Sequence, residues 1–144
     1  MRPHVICHMV ASLDGRTLPS RWAPSEVNLH GAYERLHEKL DGQAWLVGRV
    51  TGQEFAKSQA YPDGPGESVP RQSWFAQKDA GAYAVVLDAN GKIAWGRGDI
   101  GGDPIVVILT EAVSDAHLAG LRQDGVSYIF AGPSSSIWIG LWTN

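Results

Sequence analysis

The sequence predicts an α/β fold in which a mostly parallel sheet carries helices on both faces. Short apolar runs typical of buried strands alternate with stretches that place apolar residues at helical spacing, which is the pattern of strand–helix–strand units. The apolar runs also lack the alternation of apolar and polar residues found in a sheet with one face in water. Both faces of the sheet are therefore expected to be covered.

Five runs are predicted as strands. They are short and rich in valine, isoleucine and leucine, and turn signals such as Leu-Asp-Gly and Asn-Gly bound them. No repeat or linker divides the chain, and 144 residues suit a single domain. The predicted strands are residues 4–12, 44–48, 82–88, 104–110 and 126–132.

Three segments are predicted as helices. Apolar residues at helical spacing predict the first helix from Ser25 to Leu40. The second is expected to begin at Thr51, because Thr51 and Glu54 form the T-x-x-E pattern of a capping box. The third follows Ser114, whose hydroxyl can cap its first turn. Residues 96–103, rich in glycine, are interpreted as a flexible connector.

Composition excludes several classes of protein. The formal net charge of −3 gives no basic surface, so nucleic acid is not expected as a partner. The single cysteine, Cys7, excludes an internal disulfide framework and fits a reducing compartment. No apolar stretch has the length of a signal-peptide core or a membrane span. The sequence thus predicts a soluble, cytoplasmic protein without a membrane partner.

The histidines do not predict a metal site. His4 and His8 fall on the same face of the first predicted strand, but their separation of roughly 13 Å is too large for both to bind one ion. His30, His37 and His117 share no spacing typical of metal ligands. No metal is therefore expected.

The stretch Gly48-Arg49-Val50-Thr51 lies where a predicted strand meets a predicted helix. Helix N-termini attract anions, glycine permits close approach of the backbone, and a guanidinium suits a phosphate. From these residues alone, two interpretations stay open: a phosphate site, or a capped helix with no ligand. The patterns of a Walker loop and of a Rossmann dinucleotide site are both absent.

Four motifs follow one another along the chain: "MVASLDGR" (9–16), Trp22, "AWLVGRVT" (44–51) and "VVLDANGK" (85–92). Their order and spacing resemble those of the dihydrofolate-reductase superfamily. The closest resemblance is to the reductase domain of riboflavin biosynthesis, the pyrimidine reductases, and it extends to about Gly132. It implies a dihydrofolate-reductase-like three-layer fold and NADPH as cofactor. It also implies a small-molecule substrate, a ribosylaminopyrimidine phosphate, reduced to its ribitylamino form by hydride transfer.

The same resemblance implies which residues bind the cofactor. The residues that follow the second predicted strand would contact the pyrophosphate end of NADPH, those that follow the third would flank its adenosine, and the end of the first would lie near the nicotinamide. The residues implied in cofactor binding are Ala11, Gly48, Arg49, Thr51, Asp88, Ala89 and Asn90.

Catalytic and substrate-binding residues are implied near the first motif. Asp14, supported by Ser12, would hold or protonate the substrate, although an aspartate before glycine also forms structural turns. Trp22 would lie on a loop over the active site. Glu26 stands where folate reductases carry the carboxylate that holds the pterin, so a dihydrofolate-type reductase remains an alternative.

The chain looks truncated relative to the family after about residue 132. In the family, further elements follow, among them a glycine-rich turn that binds the cofactor phosphates, and residues 134–144 do not match it. An inactive fragment that binds nucleotide or dimerises is therefore a second alternative. Because residues 134–144 are apolar and uncharged, they are predicted to pack on a sheet edge, pair across a homodimer, or be disordered.

Overall fold

A computed structural model describes residues 3–22, 30–62 and 67–133 of the chain. The chain divides into two compact units, Met1–Gly42 and Gln43–Asn144. Among the described residues, the first unit contains a 3₁₀ turn and one helix, and the second contains the sheet and two helices. The architecture is mixed α/β with a mostly parallel sheet, as predicted. That the chain is one domain stays a prediction.

In the first unit, helix α1 spans His30–Leu40, after a 3₁₀ turn at Pro19–Arg21. It ends at the predicted place, where Asp41 adopts a positive φ of 45°. Residues 25–29 of the predicted helix lie outside the described residues. The strand predicted over residues 4–12 is wrong, because the chain forms no ladder there. A strand needs a neighbour to pair with, and the first unit provides none among its described residues.

The second unit is built on a five-stranded sheet. Its elements are, in chain order, β1 Ala44–Gly48, α2 Arg49–Phe55, β2 Tyr83–Leu87, β3 Asp99–Ile100, β4 Asp103–Leu109, α3 Asp115–Gln123 and β5 Ser127–Phe130. β1 is followed directly by helix α2, and helix α3 connects β4 to β5. β1 pairs with β2, β2 with β4 and β4 with β5, all in parallel, while the short β3 pairs antiparallel with the start of β4.

Side chains on one face of this sheet, which we call the inner face, form the core. Alternation along the strands and the register between them place these side chains on the same side. Helix α2 packs there, since Gly52 approaches Val86, and helix α3 adds Leu118 and Leu121 to the same cluster. The inner face comprises Trp45, Val47, Ala84, Val86, Ile105, Val107, Leu109, Tyr128 and Phe130.

The opposite face, which we call the outer face, is apolar but only partly covered. In the register of the strands its members are Leu46, Val85, Leu87, Val106, Ile108 and Ile129. None of them belongs to the core cluster. β1 alternates between exposed and half-buried residues, so the prediction that both of its faces are covered does not hold. A helix layer on the outer face is not seen among residues 43–62 and 67–133, and that part of the predicted fold stays open.

The serine cap of helix α3 was predicted correctly, whereas the structure of the glycine-rich segment 96–103 was not. Helix α3 is capped as expected, because Ser114 Oγ accepts a hydrogen bond from the His117 N–H at 3.2 Å. The segment predicted as a flexible connector instead contains β3 and its turn to β4. Gly101 and Gly102 take positive φ values of 65° and 103° there, which only glycine adopts without strain. The two-residue turn lets the chain fold back on itself.

Candidate functional site

A cleft lies where β1 and β2 end. The strands are parallel, so their carboxyl ends meet at one edge of the sheet, the usual place for ligands in such sheets. β1 leads directly into Arg49, and β2 leads into the turn that starts at Asp88. The cleft has a volume of about 340 Å³ and is lined by Arg49, Leu87, Asp88, Ala89 and Asn90. The structure thus brings together two groups of residues that are 39 positions apart in the sequence.

Helix α2 begins two residues earlier than predicted. Gly48 is its N-cap residue, with an extended backbone (φ −78°, ψ 169°) and no side-chain cap. Thr51 lies inside the helix, so the predicted capping box of Thr51 and Glu54 is wrong. The chain bends directly after the strand, and the hydroxyl is then too far along the helix to cap it. If Thr51 capped the helix, its substitution by valine would destabilise the protein. Because Thr51 is not the cap, we expect Thr51→Val to change the stability little.

Arg49 is positioned by the packing of α2 rather than by contacts of its own. The helix is held close to β2 at Gly52, and Phe55 contacts Trp45 edge-on with ring centroids 6.0 Å apart. Arg49 itself is exposed. Its guanidinium has no hydrogen-bond or ion-pair partner within the part of the chain that the structure describes. A cation at the mouth of the cleft is therefore available to a ligand.

Asp88 holds the turn that forms the other side of the cleft. Its side chain is 1% exposed, and Oδ2 accepts hydrogen bonds from the N–H groups of Lys92 at 2.7 Å and Ile93 at 2.8 Å. Gly91, with a φ of 59°, completes the turn by donating to the Asp88 carbonyl. The carboxylate thus faces into the protein. Any contact of this turn with a ligand falls to Asn90 and to the backbone.

His117 packs over the same turn, a role that its sequence context did not indicate. A Cβ on Gly91 would lie 2.8 Å from His117 Cδ2, which shows how close the ring is to the turn. Burial lowers the pKa of His117, and the negative charge of Asp88 raises it in part. Neither Asp88 Oδ1 nor His117 Nε2 has a hydrogen-bond partner among the described residues. The two side chains therefore influence each other mainly through charge.

In the first unit, the residues of the predicted catalytic motif form a compact turn. The Ser12 N–H donates to the Arg16 carbonyl at 2.9 Å, and Gly15 has a φ of 80°. Asp14 accepts a hydrogen bond from Ser12 Oγ through one oxygen and forms an ion pair with Arg16 Nε at 2.7 Å through the other. Trp22 Nε1 donates to the Arg16 carbonyl at 2.8 Å.

This turn joins three of the predicted site residues, Ser12, Asp14 and Trp22, around the backbone of Arg16. Ala11 directly precedes it, and Glu26 lies outside the described residues. Both carboxylate oxygens of Asp14 are used within the turn. The structural turn that an Asp-Gly sequence favours is therefore present, and a role in catalysis stays a prediction.

Two general features bear on function. No helix among the described residues is long and apolar enough to cross a membrane, and no group of three or more histidine, cysteine or acidic side chains in these segments could hold a metal ion. Comparisons of the chain with protein-family models, curated proteins and solved structures found no match. We therefore infer the function from the site itself.

Proposed function

We propose that the cleft at the ends of β1 and β2 binds NADPH, and that the protein is an NADPH-dependent reductase. The observation that carries this proposal is the guanidinium of Arg49, which has no partner among the described residues and lines the same cleft as Asn90 and the Asp88 turn. An exposed cation beside a polar turn, at the carboxyl edge of parallel strands, suits a phosphate joined to a nucleoside. The volume of the cleft, about 340 Å³, is small for a ligand-binding pocket. The cleft would therefore hold only part of the dinucleotide.

The residues of the second unit would bind and orient the cofactor. Arg49 would pair with the pyrophosphate, while Ala89 and Asn90 would flank the adenosine. Gly48 leaves room for the phosphates, since no atom lies within 4 Å of a Cβ placed on it. The nicotinamide of NADPH, when bound, supplies the hydride. The assignment of a dihydrofolate-reductase-like fold belongs to this proposal.

The proposed substrate is the one that the sequence resemblance implies, a ribosylaminopyrimidine phosphate. Its open-chain imine takes up a hydride and a proton and becomes a ribitylamine. Asp14 would hold the substrate or deliver that proton, and Trp22 would shield the reacting carbon from water. A hydrogen-bonded turn keeps the carboxylate in a fixed orientation, which general acid catalysis requires.

Arg49 provides a test of the proposed cofactor site. Its substitution by alanine should weaken NADPH binding by about 1.5–3 kcal/mol, the scale of a charge-assisted hydrogen bond, or about 10- to 150-fold in Kd. The thermal unfolding temperature should hardly change, because the side chain has no partner to lose among the described residues. The loss should be smaller at high salt, where the intact contact is screened. Titration by NADPH fluorescence measures the affinities, and a thermal melt measures the stability.

Thr51→Val serves as the matched control, since it alters the same helix without removing charge. Thr51 lies two residues after Arg49, a little over half a helical turn away. Its substitution should affect binding less, by about 1 kcal/mol if its hydroxyl meets a phosphate oxygen. Preference for NADPH over NADH should survive Arg49→Ala if the arginine contacts the pyrophosphate and collapse if it contacts the 2′-phosphate. We expect the first result. An unchanged affinity in Arg49→Ala would mean that the cleft is not the cofactor site.

A nucleotide-binding protein without turnover is the second candidate, favoured by the use of both Asp14 oxygens within the turn. Asp14→Asn distinguishes the two. It should abolish turnover if Asp14 acts on the substrate, while NADPH affinity stays within a few-fold. The change preserves the shape of the side chain but removes its charge and acidity. Stopped-flow or steady-state oxidation of NADPH gives the readout.

Arg16→Gln is the control for this prediction. It breaks the ion pair of Asp14 but leaves the carboxylate, and both partners are more than half exposed, so stability should change little. Partial turnover in Arg16→Gln together with none in Asp14→Asn would support catalysis by Asp14. A loss of folded structure in both variants, seen by circular dichroism, would instead show that the turn is structural.

A further inference from the structure

The turn that lines one side of the cleft is held at both ends by residues that follow β4. At one end, the Ala89 carbonyl accepts hydrogen bonds from Thr110 Oγ1 at 2.7 Å and from the Thr110 N–H at 2.9 Å. At the other end, the ring of His117 packs against Gly91, since a Cβ placed on Gly91 would lie 2.8 Å from His117 Cδ2. Asn90 is exposed, lines the cleft and lies between these two ends. Thr110 and His117 therefore determine how Asn90 is presented to a ligand.

His117 is the residue of this pair whose charge can change near neutral pH. Its ring is half-buried, and Nε2 is buried with no hydrogen-bond partner among the described residues. A protonated imidazole donates from both ring nitrogens, and a buried charge without an acceptor is costly. Protonation of His117 therefore requires that the ring move or that an acceptor move toward it.

Asp88 is the carboxylate whose charge acts on this ring. Asp88 Oδ1 has no partner in the described part of the chain, so it does not bond to His117 Nε2 in the present geometry. Asp88 Oδ2 accepts from the N–H groups of Lys92 and Ile93. A protonated ring can therefore pair with Asp88 only if the carboxylate moves, which loosens those two hydrogen bonds.

Other titratable side chains border the ring, but they have partners of their own or the wrong charge. Tyr61 meets the ring edge-on with ring centroids 4.9 Å apart, and its hydroxyl donates to Asp124 Oδ2 at 2.7 Å. On α3 itself, the carboxylate of Asp115 pairs with Arg71. Lys92 and the ring border a cavity of about 200 Å³, and the ammonium of Lys92 would repel an imidazolium. The same cavity gives a displaced ring room to move.

The pKa of His117 indicates the direction of the pH effect. Burial lowers this pKa from its usual value of about 6.5, and the charge of Asp88 raises it only in part. The folded protein thus binds this proton less tightly than the unfolded chain does. The stability that depends on the neutral ring is complete above about pH 6.5, and it is lost as the pH falls through the pKa of the folded protein. The packing of the ring on Gly91 should weaken over the same range.

We propose that His117 positions the Asp88 turn for the cofactor, and that protonation of its ring displaces the turn and weakens cofactor binding. Whether the ring leaves or draws Asp88 toward it, the Gly91 end of the turn moves. Since Thr110 fixes the other end, Asn90 between them reorients. The cleft would thus bind NADPH at neutral pH and release it in mild acid. The movement of the turn needs no ligand, whereas the effect on NADPH rests on the proposed function.

Amide hydrogen exchange of the full chain without ligand tests the movement of the turn. The Gly91 N–H donates to the Asp88 carbonyl, and its protection, corrected for the intrinsic effect of pH, should fall several-fold between about pH 8 and pH 5. The fall should follow the titration of the His117 ring, measured by NMR on the same sample. The Gly125 N–H, which donates to the Arg122 carbonyl in the turn after α3, is the control and should keep its protection. Protection of the Gly91 N–H that does not follow the His117 titration would overturn the proposal.

The effect on the site is tested with NADP⁺, which withstands acid better than NADPH, by isothermal titration calorimetry over the same pH range. The Kd of the parent protein should rise several-fold more on acidification than that of His117→Gln, whose side chain stays neutral. The 2′-phosphate of the ligand also titrates near pH 6, but it does so equally for both proteins. Parallel pH profiles for the two would overturn the proposal, although the cleft would still be the cofactor site. If the parent bound no NADP⁺ at any pH, the proposed function would fail, and the exchange of the Gly91 N–H, which needs no variant, would still decide whether His117 controls the turn.

Discussion

Replacement of Gly52 by alanine should lower the free energy of unfolding by about 2 kcal/mol, although alanine favours helices more than glycine does. A Cβ at this position would lie 2.6 Å from Val86 Cγ1 and 3.3 Å from Ile93 Cδ1. Both neighbours are fully buried, and a valine side chain has little freedom to rotate away. Helix α2 must therefore move off the sheet, or the core must expand.

Gly48→Ala is the matched control at the start of the same helix. No atom lies within 4 Å of a Cβ at Gly48, and its φ of −78° is open to any residue. Urea unfolding should show a lower midpoint for Gly52→Ala and a nearly unchanged one for Gly48→Ala. Because Arg49 begins α2, displacement of the helix should also weaken NADPH binding. Equal midpoints for the two variants would contradict the close packing of α2 on β2.

Much of the second unit could be predicted from local patterns. The runs at 44–48, 82–88, 104–110 and 126–132 all contain strands, since each is a short apolar run between turn signals. Helix α3 was predicted from its serine cap. These signals are local, so they can be recognised without knowing which other segments pack against them.

The predictions that proved wrong concern features that depend on residues distant in the sequence. Residues 4–12 are mostly apolar, but no described strand of the first unit lies beside them to pair with. At the start of α2 two signals compete, the glycine that ends β1 and the capping pattern at Thr51. The chain bends at the first of them. Partial exposure of β1 likewise depends on what packs against it, which its own residues do not specify.

For the site, the sequence resemblance indicated Arg49 and the Asp88–Asn90 turn, and the fold places them in one cleft. It did not indicate the direction of the Asp88 side chain. An aspartate after a strand can bind a ligand or stabilise its own turn. Because the Asp88 side chain is buried, it stabilises the turn. His117 was missed because its proximity to that turn comes from the packing of α3, with no local sequence signal.

Asp88→Ala should destabilise the protein by about 2–4 kcal/mol, because each buried N–H left without an acceptor costs about 1–3 kcal/mol. Two N–H groups, the buried one of Ile93 and the partly buried one of Lys92, would lose the carboxylate oxygen. Removal of a buried charged group offsets part of this loss. The turn that carries Asn90 should loosen as well, so that NADPH binding in the cleft weakens together with stability.

Asp88→Asn separates the hydrogen bonds from the charge. The amide oxygen can still accept from Lys92 and Ile93, so urea unfolding should show a much smaller loss than in Asp88→Ala. Both variants remove the negative charge that raises the pKa of His117, so NMR titration should find this pKa lower in each of them than in the parent protein. If Asp88→Asn is as unstable as Asp88→Ala, the charge rather than the two hydrogen bonds holds the turn. If the pKa of His117 does not change in either variant, the two side chains are not coupled.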